Sequence, residues 1–241
     1  MDGRIGEDTH LVQNTLRGGK EFNWIITRKL SHEADMEIKE SWFQEGDMSD
    51  VRKLIQNLDP RIAAAVDKTE SCLDWKICYR DPLPTWVSKS HKIVLLGDSC
   101  HPHLPTSAQG ASQATESGAV LAVSLKLAGR DNVPLAVSIS RMSLLRNLLL
   151  IKLTTEQTRT YEKLRFPRTR LSQGNGEDLR DRWHNALKNL DEGAEIDPES
   201  VKMRNRWLYA FDAEADTMSR WEEVSSTVKE ELEAGTITPL C

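Results

Sequence analysis

The sequence predicts an α/β (α+β) chain with a helical C-terminal tail, and three observations carry the prediction. Two short strand-like runs near the start are separated by a turn signal. A continuous apolar run, Lys92-Ile93-Val94-Leu95-Leu96, ends in Gly97-Asp98 and is followed by a helix that opens on glycine. The last seventy or so residues read as polar helix with scattered aromatic anchors.

Taken in order, His10 to Asn14 and Phe22 to Thr27 flank Arg17-Gly18-Gly19-Lys20, and together they read as a β-hairpin. Glu37 to Phe43 reads as a further edge strand. Ser49 is the expected cap of a helix whose apolar positions Val51, Leu54, Ile55 and Leu58 follow the i, i+3, i+4, i+7 pattern. Asp59-Pro60 begins a second short helix through Val66, with proline at its first position. Trp75 to Tyr79 alternates like a strand until Asp81-Pro82-Leu83-Pro84 stops it. Lys92 to Leu96 reads as a buried central strand. Gly110 then opens a helix through about Leu127, stopped by Gly129, and Ala111, Ala114, Gly118 and Ala122 let that helix approach a neighbour closely. Trp75 and Trp86 are expected to flank the sheet.

Composition narrows the function classes. Thirty-seven acids against 32 bases give a net charge of −5, which offers no electrostatic case for nucleic acid or an anionic membrane surface. The most apolar window, Leu144 to Leu153, contains Arg146, Asn147 and Lys152 and is too short for a membrane span, which needs about 20 apolar residues. Met1-Asp2-Gly3-Arg4 is polar, so no signal peptide is expected. Cys72, Cys78, Cys100 and Cys241 form no CxxC pair and read as free thiols, so a cytoplasmic protein is the expectation. Cys100, His101 and His103 cluster in one loop, but their spacing matches no common metal site, so no metal is expected. The acidic tail reads as a solvated helical face.

The chemistry is expected where the apolar run meets the Gly110 helix. A carboxylate at the carboxyl end of a strand, Asp98, lies where α/β sheets bind ligands and can accept hydrogen bonds from ligand hydroxyls. The helix start presents backbone N–H groups and a positive dipole end. Gly110 removes a Cβ, so a planar group can come close to the backbone. From the residues alone, this is either a ligand site of unspecified kind or a plain strand-loop-helix connection.

The stretch from Gly97-Asp98 through His101-Pro102, Leu104-Pro105-Thr106 and Gln109-Gly110-Ala111 to Gln113-Ala114 resembles the second flavin-binding motif of the salicylate-hydroxylase-like group of FAD-dependent aromatic-ring monooxygenases, whose fold is that of para-hydroxybenzoate hydroxylase. Arg80-Asp81-Pro82-Leu83-Pro84 with Trp86, His10-Leu11-Val12 with Arg17-Gly18-Gly19, and Tyr161-Glu162-Lys163-Leu164-Arg165 with Pro167-Arg168 resemble further motifs of that group, in the same order. The resemblance runs from about His10 to Phe211. It implies that Asp98 binds hydroxyls of the flavin's ribityl chain, that Gly110 and Ala111 offer N–H groups to the pyrimidine end, and that Pro105 lies beside the ring near the substrate. It also implies NADPH or NADH as transient reductant and hydroxylation of an aromatic or polyketide-like small molecule, in secondary metabolism or aromatic catabolism. It leaves room for a homodimer.

On this resemblance, residues 1–90 form part of a substrate-binding domain with a mixed β-sheet. Residues 91–170 form the C-terminal part of the FAD-binding domain, and residues 171–241 the helical tail. Three departures accompany it. The group's GxGxxG, which holds the diphosphate, is not in these 241 residues, so the expectation is a C-terminal part only. Val137 to Thr160, about two dozen residues, has no counterpart in the group. It reads as an insertion helix or as a retained intron of a fungal gene, since Val137-Ser138-Ile139 can be encoded by a splice-donor-like sequence and Gln157 by CAG. Finally, some members use a His and a Tyr to deprotonate a phenolic substrate. His10 keeps the first position and is the candidate base, but Asn14 stands where the Tyr would be, and an amide cannot exchange that proton. Two other readings stay open: a non-catalytic remnant or interaction protein, and an enzyme that kept the pocket for non-redox chemistry.

Overall fold

The computed structural model describes residues 2–6, 8–29, 43–56, 59–88, 93–128, 155–185, 206–236 and 240. The chain divides into two compact units. Met1–Cys78 and Asp178–Met203 make the first, and Tyr79–Glu177 and Arg204–Cys241 make the second.

The first unit is built on the expected hairpin, with one strand more than the sequence reading foresaw. Strands β1 (Asp2–Gly6), β2 (Thr9–Leu16) and β3 (Glu21–Arg28) form an antiparallel sheet in that order. Leu11 pairs with Arg4 on one side and Ile26 on the other. The β2–β3 turn is the Arg17–Gly19 segment, where Gly18 and Gly19 take φ of 68° and 87°, a region glycine enters without steric cost. Strand alternation then divides the residues between two faces. Leu11, Gln13, Trp24 and Ile26 share one face, and His10, Val12, Asn14, Asn23, Ile25 and Thr27 share the other.

Two short helices, α1 (Met48–Ile55) and α2 (Pro60–Val66), supply the apolar cover for the first face. Leu11, Met48, Ile55, Ile62 and Val66 form the core, with Trp24 and Ile26 packed against it. The cap of α1 is Asp47, not the expected Ser49. The Asp47 carboxylate accepts from the Ser49 N–H at 2.7 Å, which makes Ser49 the second helical residue and not the cap. Asp59 and Pro60 start α2 as expected. A two-residue ribbon pairs β4 (Glu45–Gly46) with β5 (Cys72–Leu73). The expected strand from Trp75 to Tyr79 does not form, because the segment meets no pairing partner among the described residues; Trp75 is 50% exposed and lines a cleft with Ile26, Thr27 and Arg28 of β3. Residues 37–42 of the expected edge strand lie outside the described residues.

The second unit centres on α3 (Gly110–Leu127), α4 (Thr155–Asn185, of which the part to Glu177 belongs here), the short α5 (Arg206–Tyr209) and α6 (Ala213–Glu233). Helix α3 runs over the residues expected of it and packs along α6. Trp86, Cys100, Val120, Tyr161, Leu164 and Ala213 form the core. The expected buried strand at Lys92 to Leu96 is corrected. Its described residues make one antiparallel bridge, Val94 with Val87, while Ile93 is 63% and Leu96 39% exposed. A run apolar on every residue suits a strand covered on both faces, and this one is paired along a single edge among the described residues. Gly129, the expected stop, and residues 137–154 of the expected insertion lie outside the described residues, and Thr155 to Thr160 are the first turns of α4.

No helix among the described residues is long and apolar enough to cross a membrane. Cys72, Cys78 and Cys100 are free thiols.

Candidate functional site

The loop that leads into α3 is shaped by one glycine and one left-handed residue. Gly97 has φ of 61°, and a Cβ there would stand 3.1 Å from the Ala114 Cβ, so glycine is needed both for the turn and for the approach of α3. The Gly97 carbonyl accepts from the N–H groups of Cys100 and His101 at 3.0 and 2.9 Å. A second turn, Pro105–Ser107, ends on Ala108 in the left-handed region with φ of 50°. The Ser107 hydroxyl donates to the Leu104 carbonyl at 2.7 Å and accepts from the Gln109 N–H at 3.2 Å. The chain thus arrives at Gly110 with no side chain capping α3, and the N–H groups of its first turn are left to other partners.

Asp98 stands at this helix start. Its Oδ1 lies 3.8 Å from where a Gly110 Cβ would be. The structure therefore brings Asp98 and Gly110 together, with Ala111 next on the same turn. Asp98, Pro105 and Ala111 are all exposed. Close by in the chain, Thr106 Oγ1 and Gln109 Oε1 are buried without a hydrogen-bond partner within the protein. An open carboxylate, uncapped N–H groups, a missing Cβ and unsatisfied polar atoms form a donor and acceptor set that fits a planar, hydroxyl-bearing, partly anionic ligand.

Helix α4 holds this loop from behind. Gln173 donates to the Pro102 carbonyl at 2.6 Å, and a Cβ on Gly176 would meet the Ser107 Cβ at 2.8 Å. His101 is buried, bonded through Nε2 to the Ser117 hydroxyl at 3.0 Å, with its ring tilted against Trp86 at 5.1 Å between centroids. Burial pushes it down to about 4, so it is neutral at pH 7. His103 Nδ1–H donates to the His101 carbonyl at 2.9 Å. Burial pushes the Cys100 thiol up to about 12, which keeps it protonated and unreactive. Among the described residues, no group of three or more His, Cys, Asp or Glu converges as a metal site would require.

Arg165 links α4 to α3. It is 1% exposed and donates to Glu116 Oε2 (2.8 Å), Gln113 Oε1 (2.8 Å), the Gln113 carbonyl (3.1 Å) and Ser117 Oγ (3.1 Å). Arg168 also grips Glu116, at 2.6 and 2.7 Å, and lies 3.5 Å over the Phe211 ring. Burial alone would raise the Glu116 carboxyl, but Arg168 and Arg165 together hold it below the usual range. Glu162, fully buried, accepts from the Trp86 N–H, from Thr85 Oγ1 at 3.0 Å and from Arg159 at 2.8 Å. The 161–168 motif announces no role in the sequence. The structure shows its polar residues fastening α4 to α3 and to the Thr85–Trp86 segment.

His10 belongs to the first unit. Its Nδ1 lies 3.2 Å from Nε2 of His184, and the Trp183 ring meets it edge-on at 5.2 Å. Burial, and then the charge of His184, push it down to about 4. Asn14 bonds instead to its cross-strand partner Asn23 at 3.2 Å. His184 was not singled out from the sequence. It sits in a charged helical stretch where a histidine carries no periodic signal.

No family model matches the chain. Curated relatives do. The asperlicin C monooxygenase of Petromyces alliaceus is 29% identical over 231 residues, 93% of this chain and 44% of the relative. The FAD-dependent monooxygenase fmqB of Aspergillus fumigatus is 36% identical over 142 residues, 56% of this chain and 32% of the relative. Among solved structures, CtdE in complex with FAD and substrate 4 superposes with a TM-score of 0.72 at 29% identity, covering 93% of this chain and 48% of that one. A salicylate hydroxylase substrate complex, at 17% identity and a TM-score of 0.64, shares the fold. The chain spans about half the length of the curated relatives that match along most of it. In sequence and in fold the chain is similar to fungal FAD-dependent monooxygenases, over about half of their length.

Proposed function

We propose that this chain provides part of the flavin site and the substrate-facing sheet of an FAD-dependent monooxygenase that takes electrons from NADPH or NADH and hydroxylates an aromatic or polyketide-like small molecule. The observation that carries the reading is the Asp98 carboxylate beside the uncapped α3 start at Gly110. There Asp98 accepts from ribityl hydroxyls. The N–H groups of Gly110 and Ala111 donate to the pyrimidine end of the ring, where the dipole end of α3 favours negative charge. Pro105, on the exposed turn before them, limits how the ring edge and substrate are placed. When bound, the flavin supplies the redox chemistry and oxygen activation, and the protein's part is binding, orientation and exclusion of water. His10, on the opposite sheet face from the apolar core, is the proposed base toward the substrate.

In domain terms, residues 1–90 belong to the substrate sheet, 91–170 to the flavin-binding part and 171–241 to the tail. The asperlicin C monooxygenase and the notoamide E oxidase of Aspergillus versicolor are named for small organic substrates, which supports that substrate class here and a place in secondary metabolism.

Titrating the purified chain against FAD and following flavin fluorescence tests the reading. Saturable binding is expected, weakened about 10- to 100-fold in Asp98→Ala, the loss of charge-assisted hydrogen bonds worth roughly 1.5–3 kcal/mol. A folded chain that leaves FAD fluorescence unchanged, or an Asp98→Ala variant that binds like the parent, overturns it.

A further inference from the structure

We propose that His184 is the proton partner of His10, so that the two imidazoles act as one proton-exchanging pair between the buried sheet face and solvent. The proposal rests on the reading above for what the proton is exchanged with. The pair itself stands on geometry.

Two imidazole nitrogens 3.2 Å apart need one N–H and one lone pair between them. His10 is 4% exposed and its ring is flanked edge-on by Trp183, so it has little water of its own to trade protons with. Its cross-strand neighbour Thr27 does not titrate, and Asn14, further along the same face, is held by Asn23. His184 is half-buried on the last turn of α4, where Asp181 and Arg182 are exposed. Its charged neighbours on the helix are Arg180, Asp181 and Arg182; the Asp181 carboxylate pairs with Arg180 at 2.8 Å and feels the His184 charge. Burial and the charge of His184 both work against a proton on His10.

The proton movement balances without any other reactant. A phenolic O–H breaks and its proton bonds to His10 Nε2. The proton on His10 Nδ1 passes to His184 Nε2, leaving His10 neutral and His184 cationic beside Asp181. The proton then sits on His184, the half-buried member of the pair at the end of α4. His184 acts only through His10, as a positioning and relay partner, and fills the role that an amide at Asn14 cannot.

Imidazole nitrogen NMR on the flavin-free chain tests this. In the parent protein a through-hydrogen-bond coupling between His10 Nδ1 and His184 Nε2 is expected, and the two rings should titrate in linked steps. In His184→Gln, which keeps a hydrogen-bonding side chain but carries no charge, the linked step disappears and the His10 midpoint rises. His10 shifts that follow pH identically in parent and variant overturn the proposal. Should the variant fail to fold, the coupling in the parent decides alone, and its absence overturns the proposal. Flavin titration is read separately, so loss of the pair and loss of the flavin reading are distinguishable.

Discussion

Arg165 carries a charge into the interior of the second unit, and each of its donor nitrogens ends on an acceptor from one stretch of α3, Gln113 to Ser117. Such an arrangement is fragile to the loss of one member, because the remaining charge stays buried and unpaired. Glu116→Ala is expected to cost about 3–5 kcal/mol in urea unfolding, the range for breaking a buried ion pair, and more than Asp50→Ala, whose partner Lys53 is solvent-exposed. A second residue-scale prediction concerns pH. His10 and His101 both sit at about 4 in the folded chain, below the ordinary value near 6.5 of an unfolded histidine. The unfolded state therefore binds more protons between those values. Stability should be full above about 6.5 and fall as pH drops toward about 4. Urea midpoints measured between pH 7 and 5 should decline, and more shallowly in His101→Gln. Equal slopes in the two proteins would refute the assignment to His101.

At the scale of elements, tight contacts between backbone segments decide where the candidate site sits. Gly176→Ala would push a methyl to within 2.8 Å of Ser107. The expected result is overpacking of about 1–3 kcal/mol together with weaker flavin binding, since the displaced turn leads straight into Gly110. Ala108→Gly, at a left-handed position, should instead be tolerated. How much of this was legible follows from the physics of each segment. Helix α3 could be read to its last residue, because Gly110 opens it and the small residues mark its packing side. The β2–β3 hairpin was legible from two glycines and alternation, but β1 was not, since Gly3 and Gly6 dilute the pattern that would announce a strand. The apolar run at 93–96 misled because periodicity reports residue type and not the number of neighbours. Asp47 was passed over as a cap for Ser49, a choice that turns on where the first helical residue falls. Asp98 and Gly110 stand out as candidates in the sequence because charge, glycine and helix start coincide within a short span. His184 and Glu116 owe their places to contacts 174 and 49 residues away, which no local pattern encodes.

For the molecule as a whole, the flavin reading makes a quantitative demand on ligand choice. On the proposed reading the contacts go to the ribityl chain and the ring, and no GxGxxG for a diphosphate occurs in these 241 residues. Riboflavin should therefore bind the chain within about tenfold of FAD, a difference under about 1.4 kcal/mol. FAD preferred by far more than that in a calorimetric comparison would mean that other residues of this chain hold the nucleotide end. The division into two units carries a different message, about inheritance. Each unit is assembled from two separate stretches, and their boundary at Glu177–Asp178 falls inside α4. No single breakpoint can hand either unit intact to a descendant. A recombination at Cys78–Tyr79 would leave the His10 strand facing another lineage's version of the Trp183–His184 turn. Exchange between related genes that keeps both units intact therefore needs three crossovers, at 78–79, 177–178 and 203–204, so that 1–78 and 178–203 travel together.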